Sequence, residues 1–136
     1  MKFTSVMAST VLACLCILTY LALAANPWIG DTLSVSEAEA RWGKQEFSEE
    51  SFKTGDAVVR AKMVYSLIKS KKLLGLSASE LRSRLGDFDG HYFSESYPTY
   101  IVQRGEKKGE DTWQIVFLLD GNRKTKEVIV HKNCCD

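Results

Sequence analysis

The sequence predicts an α+β fold in which N-terminal helices, a helical hairpin among them, pack on one face of a three- to four-stranded antiparallel meander. Three observations predict it. Apolar residues recur every three or four positions between Ala57 and Lys71, the period of a helix with one buried stripe. Leu73-Leu-Gly-Leu-Ser-Ala-Ser-Glu-Leu-Arg-Ser-Arg-Leu-Gly86 carries a complete set of helix start and stop signals. From Gly86 onward the pattern changes to short alternating runs separated by turn residues, the pattern of a meander.

The N-terminus reads as an export signal. Lys2 precedes an apolar run from Val6 to Ala24, and Ala22-Leu-Ala24 supplies the small residues a signal peptidase recognises. Residues 1–24 are therefore expected to be removed. Two alternatives stay open. Uncleaved, the run is long enough to anchor the chain in the inner membrane, and Val11-Leu-Ala-Cys14 loosely matches a lipidation motif. Cleavage or anchoring would each put the folded part outside the cytoplasm, in the periplasm or secreted. Residues 25–56 are expected as a lead-in with a short helix, forming one domain with the hairpin and sheet of residues 57–136.

Charge narrows the partners. The 18 basic residues less Lys2 balance the 17 acidic ones, so the mature chain has no basic excess for nucleic acid phosphates. Contact with a membrane is expected only through an uncleaved N-terminal segment. The 45% hydrophobic content suits a conventional core. That core must hold the fold, because Cys134 and Cys135 are adjacent at one end and cannot staple it.

Asn26-Pro-Trp-Ile-Gly30 reads as an extended lead-in. Ser34–Lys44 reads as a first short helix, with Ser36 and Glu39 at capping-box spacing and Gly43 as its stop. Ser48-Glu-Glu-Ser51 is a polar turn or a single helical turn, and Trp42, Phe47 and Phe52 around it are packing anchors. Asp56 caps the main helix, Ala57–Lys71. Ser77 and Glu80 form a capping box for the next, Ala78–Leu85, which Gly86 ends. Asp87-Phe-Asp-Gly90 is turn chemistry and lacks the ligand spacing of a calcium loop. His91–Ser94, Tyr100–Gln103, Thr112–Leu119 and Glu127–Lys132 follow as strands, with Arg104–Asp111 and Asp120-Gly-Asn122 as turns. Both faces of Thr112–Leu119 are largely apolar, which places that strand centrally.

No catalytic arrangement is apparent, and no enzyme activity and no cofactor are expected. Neither His91 nor His131 sits in a catalytic spacing, and there is no nucleophile elbow or phosphate-binding glycine loop. His131, Cys134 and Cys135 carry ligand atoms, but two adjacent thiolates and one imidazole fall short of a four-ligand site, so no metal is expected. The cysteine pair can instead form a vicinal disulfide, with an intermolecular disulfide or exchange with another protein as the competing use. Tyr92, Phe93, Tyr97 and Tyr100 concentrate aromatic surface in a short segment. They either form a binding face or close the core of the sheet.

The order of a signal segment, a helix with Arg60-Ala-Lys-Met63 and Leu67, Gly75-Leu-Ser77 leading to Glu80-Leu81, and Leu85-Gly86 ahead of strands around Trp113–Leu119 resembles the SmpA/OmlA (BamE-like) small bacterial envelope proteins. The resemblance covers roughly residues 57–132. It implies a fold of the type seen in beta-lactamase-inhibitor proteins, and a role in outer-membrane or envelope assembly through binding another envelope protein. An inhibitor or sequestering protein for an exported enzyme is the alternative, and a thiol- or metal-handling protein working through the C-terminal cysteines is a third. The sequence leaves the oligomeric state open.

Overall fold

The computed structural model describes residues 31–93 and 96–133. The expected signal segment and the Cys134–Cys135 pair lie outside the described residues. Among those described, the order is β1 (Thr32–Leu33), α1 (Val35–Trp42), α2 (Glu49–Thr54), α3 (Ala57–Ser70), α4 (Ala78–Leu85), β2 (Thr99–Gln103), β3 (Thr112–Leu119) and β4 (Thr125–Asn133). The strands form one antiparallel sheet in the order β1-β4-β3-β2, so β3 is central as its two apolar faces require. The α+β class is therefore observed, with β1 as a short strand ahead of the helices.

Caps set the helix limits. Ser77 accepts from the Glu80 N–H while Glu80 Oε2 accepts from the Ser77 N–H at 2.7 Å, and α4 ends at Gly86 with φ 90°. In α1 the capping box is Ser34 with Glu37, two residues ahead of the expected Ser36 and Glu39. Both pairs have the required spacing, and pairing of Asp31–Leu33 with β4 brings the chain to its helical turn at Ser34. Glu49–Thr54 is a helix of its own, capped by Ser48, where a turn or single helical turn was the expectation. Asp56 caps α3, and Lys71 closes it in the left-handed conformation.

One sheet face meets the helices. Tyr100, Ile115, Val130 and Leu33 align across it, and Phe52, Met63, Val64, Leu67, Leu81 and Leu85 pack down onto this side. α3 lies along β2 and contacts α1, while α4 takes its helix neighbour from α2. The connection from α3 to α4 is tied to the sheet, because Gly75 donates to Thr125 O and Thr125 donates to Leu76 O. A bulge in β2 between Ile101 and Gln103 turns both Val102 and Gln103 toward the helices.

The second face of the sheet, which the helices leave uncovered, is closed at its centre. Ile101, Gln114 and His131 form one row across it and Thr99, Val116 and Ile129 the next, and all but Ile129 are buried. After α4 the chain runs as a strap around the free edge of β2. Phe88 stays on the helical side against Tyr100, and Asp89 Oδ1 accepts from Ile101 N–H at the edge. Gly90 donates to Thr99 O, and His91 and Tyr92 reach the second face. The sequence signal for this closure is the apolar pair Ile101 and Val116 on that face. Gln114 gives no such signal, because a glutamine on a strand is more often exposed.

Candidate functional site

The strap is held by polar side chains at two points. At the edge, Arg60 reaches out from α3 under cover, 9% exposed, with Nη1 on Asp89 Oδ2 at 2.7 Å and Nε on Phe52 O at 3.2 Å. Its guanidinium also lies over the Phe52 and Tyr100 rings. On the second face, Gln114 accepts from His91 N–H at 3.2 Å and donates through Nε2 to His91 O, as a neighbouring strand would. Gly90 makes the crossing tight. A Cβ there would fall 2.6 Å from Thr99 Cγ2 and 2.8 Å from Gln114 Oε1.

Beyond this clamp sits an aromatic cluster. The Tyr92 ring meets Phe93 at 4.6 Å, Tyr97 at 5.8 Å and the His131 imidazole at 4.7 Å between centroids, all edge to face. Tyr92 and Tyr97 are half-buried. Phe93 is 63% exposed and holds a left-handed backbone, φ 51°. That conformation costs a residue with a Cβ about 1–2 kcal/mol, and the ring it presents faces water. Burial raises the Tyr92 phenol above its ordinary range, with a smaller push from Tyr97.

The four aromatic residues read from the sequence therefore divide. Tyr92, Phe93 and Tyr97 are brought together at the surface. Tyr100 is a correction to the binding-face expectation, since it is fully buried on the helical side among Phe52, Phe88 and Phe117 and its hydroxyl donates to Gly86 O at 2.9 Å. The alternation of β2 sends it to the opposite face from Ile101 and the strap. Burial in that core pushes its phenol far above the usual range.

His131 carries metal-ligand atoms, but its place in the fold is a buried one beneath the strap. It is 6% exposed and covered by Tyr92, and among the described residues neither ring nitrogen has a hydrogen-bond partner. Burial lowers its pKa, and Asp31 opposes the shift weakly. Among the described residues no three His, Cys, Asp or Glu side chains gather in a way that could hold a metal.

A concavity of about 730 Å³ lies apart from this cluster, between α1, α3 and the end of β2. Trp42, Val58 and Ala61 give it apolar walls, and Gln103 Oε1 accepts from Trp42 Nε1 at 3.0 Å and Arg41 Nε at 3.1 Å. Arg41, Lys62 and Arg104 face Asp56, Glu106 and Glu110 around its rim, so it offers no dominant charge to a ligand.

The chain matches no family model, no curated protein and no solved structure. Among the described residues no helix is long and apolar enough to cross a membrane.

Proposed function

We propose that this is an exported, non-enzymatic protein of the bacterial envelope that acts by binding another protein through the Tyr92–Phe93–Tyr97 face. Envelope assembly or maintenance, the role of the SmpA/OmlA (BamE-like) proteins it resembles, is the setting this reading favours. Export rests on the apolar run and Ala-x-Ala ending of residues 6–24. The binding role rests on one observation. Phe93 is a large aromatic ring held in water by an unfavourable backbone conformation, on a base of two half-buried tyrosines. Folding stability would favour the ring inside or a glycine in its place, whereas a partner's pocket would use it as an anchor.

Replacing Phe93 with alanine tests this. Recovery of the partner after crosslinking in intact cells should fall by at least about tenfold, the effect of losing one aromatic anchor. The thermal midpoint should stay unchanged. Unchanged recovery, or a collapse of stability, would refute the reading. The identity of the recovered protein separates two modes of action: envelope machinery indicates assembly, and a single exported enzyme indicates inhibition.

A further inference from the structure

The second face of the sheet carries a buried titratable group that the binding role does not use. His131 projects from β4 with Gln114 beside it on β3 and Thr32 beside it on β1, and Tyr92 of the strap closes over its ring. Among the described residues neither buried imidazole nitrogen has a hydrogen-bond partner. A neutral ring has one N–H and one lone pair to satisfy, but a protonated ring has two N–H donors and a full charge. Among the described residues of the covering segment, no acidic side chain answers that charge. Tyr92 offers a phenol ring, and His91 has both backbone groups committed to Gln114. The acid facing His131 is Asp31, and it is already engaged by Lys132, which Asp111 also approaches at 3.7 Å.

We propose that His131 is a pH-operated latch: proton uptake from solvent at its imidazole releases Tyr92 and the Gly90–Phe93 run from the second face of the sheet. Among the described residues Tyr92 is the aromatic side chain packed on the imidazole, and the charged ring gains water by displacing it. Release uncovers Ile101 and Val116 beneath and takes Phe93 out of its fixed position, so the aromatic face is assembled at neutral pH and dismantled in acid. Burial also lowers the proton affinity of His131 in the closed state. The latch is therefore closed above the ordinary histidine pKa of 6.5 and opens as pH falls below it.

The proposal concerns the isolated chain and can be tested without a partner. In the purified full chain, the His131 ring should titrate by NMR with a midpoint below 6.5, and the Tyr92 and Phe93 ring signals should move with the same midpoint. Amide exchange at His91, corrected for its intrinsic pH dependence, should accelerate about tenfold or more between pH 7.5 and pH 5. Exchange at Leu67 and Phe117 should not follow. His131→Leu should abolish the acid response, and His131→Gln serves the same purpose if the leucine variant does not fold. The proposal is overturned if His131 titrates while the Tyr92 and Phe93 signals stay still. It is equally overturned if a folded variant lacking the imidazole keeps the wild-type acid response.

Discussion

Phe93 and Arg60 mark the two extremes of what single residues do in this fold. Phe93 contributes little to the core and holds a backbone conformation natural to glycine. Phe93→Gly should therefore leave the unfolding free energy within about 1 kcal/mol of the parent, because relief of the left-handed strain offsets the added chain entropy. The same change should lower partner recovery by about tenfold or more, as expected for alanine. Arg60 is the opposite case. Arg60→Ala removes its hydrogen bonds to Asp89 and Phe52 O and strips the cover from Phe52 and Tyr100. Urea denaturation should show a loss of about 2–3 kcal/mol, below the full value for a buried pair because Asp89 is partly solvated. Helical period alone puts Arg60 at the flank of the apolar stripe of α3. Its partner lies 29 residues away, and no local pattern announces a pair made by the return of the chain.

At the scale of elements, legibility follows locality. α4 and β3 have the limits their residues predict, because capping boxes, glycine stops and strict alternation act within a few residues. Ser77→Ala should cost about 1 kcal/mol at neutral pH through loss of the cap. The Ser77 backbone and side-chain hydrogen bonds, with Lys124, hold the Glu80 carboxyl down at about 2 from an ordinary 4.5. A depressed carboxyl stabilises the fold fully above 4.5 and loses that contribution as pH falls through about 2. The gap in thermal midpoint between wild type and Ser77→Ala should accordingly narrow across that window, and a constant gap would exclude the linkage. The strap was illegible for the reason β1 was. Each is irregular or very short and is fixed by partners distant in the chain. Gly90→Ala tests the strap's path, since its Cβ would collide with Thr99 and Gln114. Exchange protection should drop at His91 while the α3 amides keep theirs.

For the whole molecule, helices, sheet and strap make three layers over the β2–β3 half, and the third layer turns a plain sheet face into an aromatic one. The charge balance of the sequence offers no basic excess for nucleic acid phosphates, and the adjacent Cys134 and Cys135 cannot staple a core. Three of the four aromatic residues that drew notice in the sequence do converge at the surface, and Tyr100 does not, because strand alternation decides sides. The binding role is tested most directly by a photo-crosslinking amino acid placed at position 93 in living cells, with the same probe at exposed Lys72 as control. The proposed role predicts one dominant envelope-protein adduct at position 93 that is absent at position 72. A folded protein giving no adduct at 93 beyond that at 72 would contradict it.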